Sequence, residues 1–78
     1  MADYQSISKA AREIMNRNIR SGNVYIYQVM FEGDYIVLDI RYRGSRYSDG
    51  DYRNVVCEAG SIVDYYGVKM RYGIMQDY

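Results

Sequence analysis

Residues 24–43 constrain the fold more than any other segment, because they alternate as the two strands of a β-hairpin do. Gly33-Asp34 divides the run, and glycine supplies the positive φ that a two-residue hairpin turn requires. Pairing outward from this turn gathers apolar and aromatic residues on one side of both strands, which is the predicted core side. The predicted pairs on that side are Phe31 with Ile36, Val29 with Leu38, Tyr27 with Ile40 and Tyr25 with Tyr42.

The other side of the predicted hairpin is mixed and therefore at least partly exposed to water. Its predicted pairs are Glu32 with Tyr35, Met30 with Val37, Gln28 with Asp39, Ile26 with Arg41 and Val24 with Arg43. This side is more apolar than a fully solvated face needs to be. We therefore expect the chain to form a homodimer through this face or through a free strand edge.

An amphipathic helix is predicted over residues 4–20, where apolar residues recur at three- and four-residue steps. Asp3 or Ser6 is expected to cap its start. Gly22 is expected to end it, because glycine adopts the left-handed conformation easily.

The remaining chain is predicted to hold an exposed loop at 44–51, a third strand at 52–58 and a further strand at 68–72. Residues 61–66 fit either a short helix or a strand. The predicted fold is one α+β domain over residues 1–78, with the N-terminal amphipathic helix packed on a three- to four-stranded antiparallel sheet.

Composition excludes several classes of protein. The net charge is zero, so no overall field attracts nucleic acid or a lipid surface, and the chain has no histidine to serve as a general base or metal ligand. Cys57 is the single cysteine, which is typical of a reducing compartment. No stretch approaches the ~20 apolar residues of a membrane span. We therefore expect a cytoplasmic protein that does not contact the membrane.

Two acidic arrangements are candidates for chemistry, and both are weak. Asp49 and Asp51, with Asn54 and Glu58 beyond them, offer oxygen ligands without the spacing of a calcium loop. Asp39 and Glu58 lack an associated nucleophile and an enclosing pocket. The sequence thus predicts a protein that is not an enzyme and that holds neither a metal nor a cofactor.

The predicted order of a helix, three antiparallel strands and a short helix resembles the double-stranded RNA-binding domain in topology alone. That family's Gly-Pro-x-His loop is replaced here by Gly33-Asp34, and the Lys-rich start of its last helix is absent at residues 61–66. None of the family's RNA-binding residues is therefore carried over.

Eleven tyrosines and a set of cations dominated by arginine favour binding over turnover, since Tyr and Arg are typical interface anchors. The leading hypothesis is a non-catalytic protein-binding module, a small inhibitor or adaptor of the phage or mobile-element type that covers a host enzyme or complex. Its predicted contacts are Tyr35, Arg46, Tyr47, Tyr52 and Arg53. The alternative is an RNA- or DNA-binding domain that uses Arg41, Arg43, Arg46, Tyr47 and Arg53.

Overall fold

Two helices and four strands follow one another in the computed structural model, which describes residues 3–78. They are α1 (Tyr4–Arg17), β1 (Arg20–Ser21), β2 (Val24–Glu32), β3 (Tyr35–Tyr42), α2 (Asp49–Tyr66) and β4 (Lys69–Gln76). The strands form one sheet in the order β1-β2-β3-β4. β1, β2 and β3 are antiparallel neighbours, whereas β4 is parallel to β3. The α+β class is confirmed, but the sheet is mixed and the prediction of a purely antiparallel sheet is wrong.

The N-terminal helix forms for the predicted reason, an apolar stripe of Ile7, Ala10, Ala11 and Ile14 that is buried against the sheet. The Asp3 carboxylate accepts a hydrogen bond from the backbone N–H of Ser6 at 2.7 Å and caps the helix. Asn18, with a φ of 52°, ends the helix in the left-handed conformation. Gly22 was predicted to end α1 and instead lies in the turn between β1 and β2, with a φ of 56°.

The hairpin is confirmed from its turn as far as Gln28, since Glu32 pairs with Tyr35 and Phe31 pairs with Ile36. A β-bulge then shifts the register between Ile26 and Gln28. Beyond the bulge, Ile26 faces Ile40 and Val24 faces Tyr42. The predicted pairs of Tyr27 with Ile40, Tyr25 with Tyr42, Ile26 with Arg41 and Val24 with Arg43 are therefore wrong.

The prediction of a strand at residues 52–58 is wrong, because this segment belongs to α2. The Ser48 hydroxyl accepts a hydrogen bond from the Asp51 N–H at 3.0 Å and caps the helix, and Gly67, with a φ of 68°, ends it. The resemblance to the double-stranded RNA-binding domain took that segment as its third strand. In the structure three antiparallel strands still precede α2, but the first of them is the two-residue β1, and a parallel β4 follows the helix. α2 forms because Val55, Ala59, Ile62 and Val63 recur at helical spacing and are buried together. This packing outweighs the strand preference of the β-branched residues.

The strand predicted at residues 68–72 is confirmed and extends further, as β4. Its parallel pairing with β3 follows from α2, since parallel neighbours need a crossover connection that a helix provides.

Both helices pack on one face of the sheet and form a single core cluster with it. The side chains of Ile36, Leu38 and Ile40 point into this core, and Leu38 is only 1% exposed. Val24 and Ile26 contribute from β2, because the bulge turns them inward. Within residues 3–78, the opposite face of the sheet carries no helix, and it is the surface on which the candidate site lies.

Candidate partner-binding surface

We call the helix-free side of the sheet the open face, and strand alternation assigns its members on β2, β3 and β4. They are Tyr25, Tyr27, Gln28, Met30, Glu32, Tyr35, Val37, Asp39, Arg41, Lys69, Arg71, Gly73 and Met75. Tyr27, Met30 and Met75 are exposed large hydrophobic side chains. The open face therefore combines tyrosine, methionine and arginine, the residue types enriched at protein interfaces.

The β-bulge determines which aromatic rings belong to the open face. It inserts Tyr27 as an extra residue between Ile26 and Gln28, so that Tyr25 and Tyr27 both leave the core side on which they were predicted. The guanidinium carbon of Arg41 lies 3.8 Å from the centroid of the Tyr27 ring. This cation–π contact fixes an aromatic ring that is 49% exposed on the open face.

Carboxylates surround the same arginine. Nη2 of Arg41 lies 3.0 Å from the Asp39 carboxylate, and Nη1 lies 3.8 Å from that of Asp77. The hydrogen bond to Asp39 raises the pKa of Arg41 above its ordinary value, against the opposing effect of desolvation. Asp39 also accepts a hydrogen bond from the Gln28 amide at 3.2 Å. Arg41 is therefore held in one orientation by groups on all three long strands or their ends.

Tyr35 lies under two cations at the other end of the open face. The guanidinium carbon of Arg71 is 4.4 Å from the Tyr35 ring centroid, and the Lys69 ammonium is 5.6 Å from it. Arg71 also forms an ion pair with Glu32 at 2.9 Å. The parallel β4 brings both cations beside Tyr35, an arrangement that the antiparallel prediction did not contain.

A shallow hollow of about 420 Å³ lies between these two arginine clusters. Gly73 forms its floor, and Met30, Met75 and Asp39 are among its walls. A Cβ at Gly73 would meet no atom of the described residues within 4 Å, so the absence of a side chain there leaves open space on the sheet. The hollow offers an apolar depression with a carboxylate beside it.

The structure separates the residues predicted to bind a partner. Tyr35 and Arg41 lie on the open face, and Arg43 borders it with its guanidinium carbon 5.3 Å from the Tyr25 ring centroid. Arg46 is exposed in the loop before α2, and Arg53 is exposed on α2 in an ion pair with Asp49 at 2.8 Å.

Tyr47 and Tyr52 were predicted as exposed anchors, and both are half-buried against the core. They belong to an aromatic row on the helix side of the sheet. Ring centroids in this row are 4.7 Å apart for Tyr42 and Tyr47, 5.8 Å for Tyr47 and Tyr52, and 6.2 Å for Tyr52 and Tyr72. Burial raises the pKa of Tyr52, and its neighbours Tyr72 and Tyr47 raise it further. The row therefore serves packing between α2 and the sheet.

Sequence reasoning missed Tyr27, Arg71 and Met75 as members of the surface. The alternation of Lys69, Arg71, Gly73 and Met75 was visible in the sequence, and it would have placed these residues on one face had the strand been extended past residue 72. No comparable alternation in the sequence indicated the bulge at Tyr27.

Other kinds of site find little support in the part of the chain that the structure describes. Within residues 3–78, no three His, Cys, Asp or Glu side chains come together as metal ligands would. Among the same residues, neither helix has the length and apolar character to cross a bilayer. No family model matches the sequence, and no curated protein or solved structure matches the chain.

Proposed function

We propose that this chain is a non-catalytic protein-binding module, a small inhibitor or adaptor that covers a partner protein with its open face. The observation that carries the proposal is a sheet face without a helix on which exposed Tyr27, Met30 and Met75 surround ordered arginines. A surface of this composition, bordered by ion pairs, has the core-and-rim character of a protein interface.

Charge on the open face favours protein over nucleic acid as the partner. Arg41 and Arg71 are engaged by Asp39 and Glu32, so each of these two arginines has a carboxylate within 3.0 Å. Such pairing cancels most of the local potential on which phosphate binding depends. The faces of Tyr27 and Tyr35 are also occupied by these arginines, which leaves them poorly placed to stack on bases.

Tyr35 is the anchor that we assign to a protein partner. Its ring is half-buried and fixed by Arg71, so contact with a partner would order few further rotamers. The hollow at Gly73 would accept an apolar side chain of the partner between Met30 and Met75, two flexible residues that adapt to its shape.

Photo-crosslinking in the native host tests the proposal with a matched pair of tyrosines. Tyr35 lies on the open face, whereas Tyr65 lies on α2 and is 83% exposed. A photoreactive phenylalanine analogue at position 35 should crosslink to one dominant protein, and the same analogue at position 65 should not. Tyr35→Ala should then weaken binding of the captured protein by about tenfold or more, whereas Tyr65→Ala should leave it unchanged.

Three results would contradict the proposal. Equal crosslinking from positions 35 and 65 would show that the open face is not the surface that binds the partner. So would a larger loss of affinity for Tyr65→Ala than for Tyr35→Ala. Saturable binding of RNA or DNA through Arg41, weakened steeply by salt, would favour the alternative function instead.

The homodimer prediction is a separate proposal about the same surface. Its apolar part, with Met30, Val37 and Met75, could cover a second copy related by a twofold axis. Light scattering at high micromolar concentration tests it, and a monomer there would contradict it. If the homodimer covers the open face, formation of the dimer and binding of the partner protein would compete for the same surface.

A further inference from the structure

A pocket of about 290 Å³ lies at one corner of the sheet, where α1 ends and the turn between β1 and β2 follows. Its walls include Asn18, Arg20, Asn23, Tyr25 and Arg43. The volume is close to the lower end of the roughly 300–1,000 Å³ range of small-molecule sites. The pocket therefore suits a small polar group.

Arg20 and Arg43 differ from most other arginines in having no carboxylate at ion-pair distance within residues 3–78. Four arginines that do have one are Arg17, Arg41, Arg53 and Arg71. No acidic residue lines the pocket. Two guanidinium groups thus border one small concavity whose own lining residues carry no negative charge, and an anion there would be attracted by both.

Two carboxylates lie close to this corner, and each is engaged by a hydroxyl group. Asp51 lies against Gly22 and accepts a hydrogen bond from the Ser21 hydroxyl at 2.8 Å. Asp77 accepts a hydrogen bond from the Tyr25 hydroxyl and lies 3.8 Å from Arg41. The hydrogen bond anchors the Tyr25 ring, over which Arg43 is placed. Tyr25 therefore forms a fixed wall and leaves Arg43 free to donate outward.

Backbone contacts hold the two sides of the pocket together. The Asn23 side-chain amide donates to the carbonyl oxygens of Arg43 at 2.6 Å and Arg46 at 2.8 Å. The Arg43 N–H donates to the Asn23 carbonyl at 3.1 Å. Arg20 pairs with Tyr25 across the short β1–β2 ladder. These hydrogen bonds hold the backbone around the pocket in place without a ligand, as a binding site requires.

We propose that this pocket binds a phosphate monoester group through Arg20 and Arg43. A phosphate monoester carries a charge of roughly −1.5 to −2 at pH 7, which matches two unpaired guanidinium groups. Each guanidinium presents a planar fork of donors that fits phosphate oxygens in a bidentate manner. Asn18, which ends α1, lines the same pocket without adding a charge.

The test is a titration of the labelled protein with inorganic phosphate, followed by NMR at constant ionic strength. We expect saturable shifts of the Gly22, Asn23 and Arg43 amides with a dissociation constant on the order of 1 mM. The double variant Arg20→Ala/Arg43→Ala should weaken binding by about tenfold or more. Both side chains are exposed, so the variant should retain its fold, and its unfolding curve checks this.

A charge-matched control is the double variant Lys9→Ala/Arg12→Ala. Both cations are exposed on α1, and the change in net charge is the same. Glu13 lies beside them in a separate hollow, so this pair should contribute nothing to phosphate binding. Shifts that fail to saturate, or an equal loss in the control, would overturn the proposal and would identify the effect as general electrostatics.

Two further ligands identify the source of the phosphate. A phosphoserine peptide that binds at least about tenfold more tightly than inorganic phosphate supports a phosphorylated macromolecule, whereas equal affinity supports a free small molecule. Binding of a phosphodiester oligonucleotide as tight as that of the peptide would overturn the monoester assignment. None of these measurements uses the open-face partner, so failure here leaves the protein-binding proposal intact.

Discussion

Arg41 covers the face of Tyr27, with its guanidinium carbon 3.8 Å from the ring centroid, on the side of the sheet that carries no helix. The contact exists because a single extra residue in β2 turns Tyr27 away from the core. Bulges of this kind re-aim side chains at functional surfaces. The same bulge turns Val24 and Ile26 inward, where Val24 is fully buried, so it serves both the core and the open face.

The two faces of β3 should respond differently to truncation. Leu38→Ala should lower the free energy of unfolding by about 2–5 kcal/mol, because it leaves a cavity in the core. Val37→Ala is the matched control. Val37 is adjacent to Leu38 but lies half-buried on the open face, so its truncation should lower the free energy of unfolding clearly less. Urea unfolding measures both. Equal losses would contradict the assignment of the faces.

The half of the hairpin beside Gly33-Asp34 was predictable because side chains alternate strictly along a regular strand. The half beyond Gln28 was not, because tyrosine is accepted on either face of a sheet. Tyr25 and Tyr27 fitted the core pattern as well as Val24 and Ile26 do. Tertiary packing decides between the predicted register and the observed one, and the alternation of residue types in the sequence carries no information about that packing.

The second helix was missed because local preference opposed it. Val55 and Val56, with Tyr52 before them, favour a strand by propensity, and the tertiary burial of the helical stripe reverses this preference. That error carried into the site, since it left Tyr52 and Arg53 on a strand and omitted the crossover helix that makes β4 parallel to β3. Tyr35 was placed correctly on the outer face because its position depends only on the hairpin turn.

Arg46 and Tyr47 are adjacent in the loop but should behave differently. Tyr47 packs between Tyr42 and Tyr52, so Tyr47→Ala should lower stability by about 1–3 kcal/mol. Arg46→Ala removes an exposed side chain and should change stability by less than about 0.5 kcal/mol. Thermal and urea unfolding of the two single variants check this. Equal effects would show that the aromatic row does not support the fold.

Gly22 and Asp51 are coupled through space. A Cβ at Gly22 would overlap the Asp51 carboxylate, and the φ of 56° already disfavours a side chain. Gly22→Ala should therefore lower stability by more than about 1 kcal/mol. Asp51→Ala loses the hydrogen bond from the Ser21 hydroxyl at 2.8 Å but removes the overlap. The double variant should accordingly be more stable than the sum of the two single losses predicts, and strict additivity would argue against the close approach.

Stability should fall at alkaline pH because two tyrosines have raised pKa values. Burial raises the pKa of Tyr52, and the hydrogen bond to Glu13 raises that of Tyr66. Above a pH of about 10 the unfolded chain loses these protons before the folded one does, so the free energy of unfolding decreases as pH rises. Tyr52→Phe should make this decrease less steep. A curve for Tyr52→Phe that runs parallel to that of the wild type would contradict the assignment.

Deletion of Tyr27 should remove the bulge without unfolding the protein. With that residue absent, Ile26 is followed directly by Gln28, so Val24, Ile26 and Val29 still face the core while Tyr25 and Gln28 still face outward. NMR should show that Ile26 remains opposite Ile40 and Val29 opposite Leu38, now along an unbroken ladder. Arg41 loses its aromatic neighbour, so the shortened protein should bind its open-face partner more weakly while keeping a cooperative unfolding transition. A chain that no longer folds would mean that the bulge is required by the core, and that the placement of Tyr27 on the open face is only its by-product.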